Sequence, residues 1–104
     1  MNEARAAVRY AKAILDLGVE NKAIDQVEKD FRKIVATIAD SPELEEMLGS
    51  PVLKGEVKKK ALSEIFSGSS SVTEGLISTL VDNKRISILK DVAEKFIILN
   101  EARK

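Results

Sequence analysis

The side chains that most often carry chemistry are scarce in this sequence. It contains no histidine and no cysteine. That removes the commonest general base, the commonest metal ligand, the thiolate nucleophile and any disulfide. Hydroxyls, carboxylates and amines remain. Ser41, Ser63, Ser67 and the run Ser69 to Ser71 have no imidazole to activate them, so a Ser–Lys arrangement is the nucleophilic option left open. The acid pairs Glu43–Glu46 and Glu45–Glu46 fall on a charged helix surface, whereas paired-carboxylate hydrolysis needs a deep cleft that a small bundle rarely offers. Gly18, Gly49, Gly55, Gly68 and Gly75 are scattered, not gathered into a phosphate-cradling loop. Lys58-Lys59-Lys60 lacks interleaved aromatics and is flanked by Glu56 and Glu64. It reads as a solvated face, not a nucleic-acid or lipid patch. The expectation is a non-catalytic chain with no cofactor and no metal.

Composition narrows the class further. A chain of 104 residues is one domain. Lys+Arg and Asp+Glu are both 17, so the net charge is zero. Bulk attraction to nucleic acid or acidic lipid is therefore not expected. No apolar run approaches the roughly 20 residues of a membrane span, so direct insertion is not expected either. The basic, alanine-rich start with Arg5, Arg9 and Lys12 is interrupted by Glu3, Asp16 and Glu20. Transit peptides are poor in acids, so this segment reads as part of the mature fold.

Helical periodicity runs throughout. The spacing predicts a first helix over 3–19 and a second over 22–39, with Gly18 as a C-cap between them. The second carries one apolar stripe (Ile24, Val27, Phe31, Ile34 or Val35, Ile38) and two i,i+4 pairs, Asp25–Lys29 and Glu28–Arg32. Ser41-Pro42-Glu43 opens a short third helix over 42–48, ended by Gly49-Ser50-Pro51. Val52 and Leu53 are expected to plug the bundle. A fourth helix over 55–66 should turn Val57, Ala61, Leu62, Ile65 and Phe66 inward. Ser71-Val72-Thr73-Glu74 has capping-box spacing and opens the fifth. A tight corner at Asp82-Asn83-Lys84-Arg85, with Asn83 as the capping residue, leads into the sixth. The sum is an all-α, six-helix bundle with short loops and no strands.

Two of these helices carry too much apolar surface. On the first, the polar positions Arg5, Arg9, Lys12 and Asp16 form one narrow stripe. One flank bears Ala4, Val8, Ala11 and Leu15; the other bears Ala6, Tyr10, Ala13 and Leu17, with Ala7 and Ile14 between. The fifth helix is also rich in apolar side chains: Leu76, Ile77, Leu80 and Val81. Either the first helix is central to the bundle or one flank awaits another chain. Surplus of this kind on a polar protein points to a groove for a partner helix.

Four segments, in order, carry a family resemblance: Ala7-Val8-Arg9-Tyr10-Ala11-Lys12-Ala13-Ile14; Leu48-Gly49-Ser50-Pro51-Val52; Leu76-Ile77-x-x-Leu80-Val81-Asp82-Asn83-x-Arg85-Ile86-x-x-Leu89; and Phe96-x-x-Leu99-x-x-x-x-Lys104. Across its whole length the chain resembles the delta subunit of F-type ATP synthase, whose mitochondrial counterpart is the oligomycin-sensitivity-conferral protein. The resemblance implies a six-helix N-terminal domain in the peripheral stalk, a stator that holds the catalytic head against rotor torque during proton-driven ATP synthesis. It implies a groove between helices one and five that takes the N-terminal helical segment of an alpha subunit. Carried over, that groove is lined by Tyr10, Ala13, Ile14 and Leu17 from helix one and by Leu76, Thr79, Leu80 and Asn83 from helix five. Small residues (Ala6, Ala13, Gly75) would let a partner helix approach, and Tyr10 would anchor it. Family members continue into a second domain that contacts the b-subunit stalk. Residues 1–104 are therefore expected to be a single N-terminal domain cut before that C-terminal one. The implied location is peripheral, on the cytoplasmic face of a bacterial inner membrane.

Two other readings compete. One is a generic helical adaptor for some other amphipathic helix. The other is a nucleic-acid-binding bundle using Lys58, Lys59, Lys60, Lys84 and Arg85, which zero net charge and the lack of a recognition helix disfavour.

Overall fold

The computed structural model describes residues 3–104. It has six α-helices: α1 (Glu3–Glu20), α2 (Ile24–Asp40), α3 (Pro42–Gly49), α4 (Gly55–Ile65), α5 (Ser71–Asp82) and α6 (Leu89–Arg103). A 3₁₀ turn, Ile86–Ile88, leads into α6, and no strand occurs among the described residues. The architecture is the predicted all-α bundle. The core lies where α1, α2 and α6 meet, with Phe31 and Phe96 edge to face at its centre, ring centroids 4.8 Å apart.

The expected α2 stripe is buried: Val27, Phe31, Ile34 and Ile38 all face the core. Ser41 caps α3 as the sequence predicts, its hydroxyl accepting the Leu44 N–H at 3.2 Å with Pro42 in the first turn. Of the two predicted ion pairs on α2, Glu28–Arg32 forms at 3.1 Å. Asp25 and Lys29 stay exposed and do not meet within ion-pair distance.

Several local expectations fail for identifiable reasons. Gly18 is not a cap. It lies inside α1, buried, where an added Cβ would sit 3.0 Å from Ile24 Cδ1. The left-handed residue of that turn is Lys22, with φ 55°. On α4 the buried stripe is Lys58 and Leu62, continued by Phe66, so Val57 and Ile65 face solvent instead of the core. Val52 is 85 % exposed and Leu53 also reaches solvent, so the α3–α4 connection runs over the surface and plugs nothing. Lys58 is not on a solvated face. Its buried ammonium donates to the carbonyls of Leu48 (3.1 Å) and Ser50 (2.8 Å), the unsatisfied acceptors at the end of α3. The negative end of that helix suits a cation. Lysine thus caps the helix end marked by Gly49-Ser50-Pro51.

α5 is pinned at its start. The N-cap is Ser70, one residue before the predicted Ser71, and its hydroxyl accepts the Thr73 N–H at 3.2 Å. Asp30 reaches across from α2. It accepts the Ser70 N–H (2.9 Å) and the Thr73 hydroxyl (2.7 Å) on Oδ2, and Gln26 Nε2 (2.8 Å) on Oδ1. At the other end of α5 the Arg85 N–H returns to Leu80 O at 2.7 Å, with Lys84 at φ 59°. The left-handed position is therefore Lys84, not Asn83, which leaves the Asn83 side chain free of local capping.

The last turn of α6 is held to α2 by Glu28, which accepts from Asn100 Nδ2 and from Lys104 Nζ at 3.3 Å. Burial pushes the Glu28 carboxyl up, but the hydrogen bonds from Asn100, Arg32 and Lys104 and the charge of Lys104 outweigh it and hold it below the ordinary glutamate value.

Replacing Asp30 with alanine leaves the Ser70 N–H and Thr73 hydroxyl without their acceptor. The expected cost is about 2–4 kcal/mol, read as a lower urea midpoint at unchanged slope. Because Glu28 is lowered in the fold, its stabilisation is present above the ordinary carboxylate range and is lost as pH falls through the lowered value. The melting temperature should fall over roughly pH 5 to 2. A Glu28→Gln variant should melt lower at neutral pH and lose less on acidification.

Candidate partner-helix groove

α1 and α5 run antiparallel along one side of the bundle. Tyr10 meets Asn83 at one end, where Asn83 Nδ2 donates to the Tyr10 hydroxyl at 2.8 Å. At the other end Leu17 approaches Val72 across an open furrow of about 370 Å³. This furrow exists because α1 rests mainly on α6 through its buried face (Ala6, Ala7, Ala11, Ile14, Gly18). The Tyr10–Ala13–Leu17 flank is left over, as its period of three and four residues requires.

Six of the eight residues expected at the interface line the furrow. Ile14 and Leu76 are buried and form its floor. Ala13 and Thr79 are exposed on opposite walls, Tyr10 is half-buried, and Leu17 is 44 % exposed. Asn83 is exposed beyond the furrow's end, bonded to Tyr10. Leu80 does not belong there. It is 0 % exposed, one position and about 100° around the helix from Thr79, and faces the core. Ala6, expected to admit a partner helix, is also enclosed in the core.

The structure adds Val72 to the lining and places there Gly75, already expected to admit a partner helix. Their signal was visible as spacing: Val72, Gly75, Leu76 and Thr79 fall at i, i+3, i+4 and i+7. Gly75 is informative. A Cβ built there meets nothing within 4 Å, so the fold itself has no need of a glycine at that point.

The furrow is suited to binding, not reaction. Its walls are apolar apart from the Tyr10 and Thr79 hydroxyls. No group of three or more metal-ligating side chains occurs among the described residues. A larger hollow of about 520 Å³ lies between the α3–α4 turn and the end of α5, but its buried cation, Lys58, is already engaged by two carbonyls.

Residues 6–104 match the family described as ATP synthase delta (OSCP) subunit. The chain is similar to ATP synthase subunit delta of Christiangramia forsetii, 46% identical over 98 residues that cover 94% of this chain and 53% of the relative. It is 40% identical to the subunit of the same name in Flavobacterium johnsoniae, over 92% of this chain and 54% of the relative. For that of Chlorobium phaeobacteroides the identity is 38%, over 99% of this chain and 58% of the relative. The chain thus spans about half the length of the curated relatives it matches.

The burial pattern separates core from rim. Leu80→Ala should cost about 2–5 kcal/mol of unfolding free energy. Leu17→Ser should change it by no more than about 0.5 kcal/mol, since its side chain has little to lose on the rim. Chemical denaturation of the two variants checks the contrast.

Proposed function

The chain belongs to the ATP synthase delta (OSCP) subunit family, and from that membership we propose that it is a non-catalytic stator domain of an F-type ATP synthase. It sits at the top of the catalytic head and takes the N-terminal helical segment of an alpha subunit into the α1–α5 furrow. Tyr10, Ala13, Ile14 and Leu17 on one wall, with Val72, Gly75, Leu76 and Thr79 on the other, form the contact. Leu80 supports that wall from within, and Asn83 positions the Tyr10 ring. The domain does no chemistry. Rotor torque would otherwise turn the head, and the docked helix transmits the restraint. Contact with the b-subunit stalk falls to a C-terminal domain in the remaining length of such subunits. No helix among the described residues is long and apolar enough to cross a membrane. The proposed location is therefore peripheral, at the cytoplasmic face of a bacterial inner membrane.

The observation that carries this reading is Gly75. Glycine inside a helix costs about 0.5–1 kcal/mol relative to alanine. Here no neighbour within the domain requires it, yet it opens the middle of an apolar furrow. Close approach by an outside helix accounts for that cost.

Calorimetric titration with a synthetic alpha N-terminal peptide tests the assignment. Gly75→Ala should raise the domain's stability by about 0.5–1 kcal/mol while weakening the peptide. Gly75→Leu and Thr79→Arg should weaken it at least about tenfold, a loss of about 1.4 kcal/mol, with the thermal melt preserved. Tyr10→Asp should weaken it too. Unchanged affinity in the Gly75→Leu and Thr79→Arg variants rejects the furrow as the binding site.

A further inference from the structure

The apolar furrow ends at Tyr10. Its wall on α1 runs from Tyr10 to Leu17 and its wall on α5 from Val72 to Thr79, seven residue steps each. That is about 10.5 Å, or two helical turns. Past Tyr10 lies a second hollow of about 470 Å³. It shares Tyr10 and Ala13 with the furrow, and its other lining residues, Arg9, Asn83 and Arg85, are all polar. On α5, Thr79 lines the furrow alone, and Asn83, one turn further on, lines the second hollow alone.

A bridge marks the change. Asn83 Nδ2 donates to the Tyr10 hydroxyl at 2.8 Å, which ties the half-buried ring on α1 to the end of α5. Moving the ring aside breaks this bond and sets a hydroxyl and an amide against hydrocarbon. That cost is comparable with what one more buried leucine returns.

We propose that the Tyr10–Asn83 bridge is an end stop that limits the apolar stripe of a docked helix to two turns. The inference rests on the proposed occupant, the N-terminal helical segment of an alpha subunit, and concerns which stretch of it the furrow accepts. Apolar contact along Ile14 and Leu76 does not by itself choose a register, because a helix displaced by one turn can present a similar stripe. A closed end removes one of those registers. An apolar side chain pushed past Tyr10 meets the bridge and then the polar side chains of the second hollow, so a longer stripe gains nothing from its extra turn. Tyr10 thus acts twice, as contact through its ring and as a specificity determinant through its tie to Asn83.

The probes are the N-terminal peptide of the alpha subunit from Christiangramia forsetii and two derivatives. Each derivative lengthens the apolar stripe by one leucine, a turn beyond it at one end or the other. On the natural chain, calorimetry should give all three affinities within about twofold. On Tyr10→Ala, where the two hollows join, the derivative whose leucine falls at the Tyr10 end should bind at least about fivefold tighter than the parent peptide, and the other derivative should not. A folding defect cannot produce a gain for one peptide alone. Tyr10→Phe and Asn83→Ala keep a ring in place but untie it. Each should show part of the gain, and the double variant no more than either. A fivefold gain on the natural chain, or none on Tyr10→Ala, overturns the end stop. No gain on both Tyr10→Phe and Asn83→Ala overturns the bridge as its cause. Any of these results, with Thr79→Arg weakening all three peptides, leaves the furrow standing without its stop. If Thr79→Arg binds all three normally, the furrow reading itself fails.

Discussion

α1 has only a narrow polar stripe, and the rest of the domain is arranged to cover much of what remains. A helix apolar nearly all round has to be enclosed from several directions. α6 covers the largest part, and the buried positions of the two helices include small side chains, Ala6, Ala7 and Ala11 on α1 and Ala93 on α6, that suit close packing. α2 closes a second side, and α5 leans on a third along Ile14 and Leu76. Three helices still leave the Tyr10–Leu17 flank uncovered. The furrow is thus the remainder of a packing problem that the domain does not finish alone.

Buried polar groups keep that remainder in shape. Asp30 ties the start of α5 to α2 through two hydrogen bonds, and Lys58 closes the end of α3. Glu28 locks the last turn of α6. Each is a charged group with partners on another element, so losing it strands them. None of the three lines the furrow. Stability is concentrated behind the proposed binding surface, and that surface is left free to carry a costly glycine and exposed leucine.

Much of this was legible in the residue order. Periodicity placed all six helices, Ser41-Pro42 marked α3, and the excess apolar width of α1 pointed to an open flank. What stayed hidden depended on tertiary partners. Nothing in Lys58-Lys59-Lys60 says which lysine meets the end of α3; only the fold brings Leu48 O and Ser50 O to one of them. Val57 and Ile65 look inward by hydropathy, but α4 packs extensively only on α5 and buries a narrow stripe. Spacing to Glu74 favours Ser71 as the cap, and the Asp30 clasp decides for Ser70. Leu80 was assigned to the interface by resemblance, although about 100° of helical rotation from Thr79 turns it to the core. Resemblance placed Leu80 on a helix that lines the furrow, but on the face that turns to the core.

Stiffness at the furrow follows from how α5 is held. Its first turn is fixed by Asp30, and its last is joined to α1 through Asn83 and Tyr10. With both ends tied, the spacing between α1 and α5 is set before any helix arrives, and buried Ile14 and Leu76 already form the floor. Little ordering remains for binding to cost. A slot that had to be assembled on docking would yield under load, because the same soft motion that opens it would let the occupant shift. The proposed stator role needs the reverse. The polar links at the two ends of α5 therefore bear on function as directly as the apolar lining does, although only Tyr10 among them lines the slot.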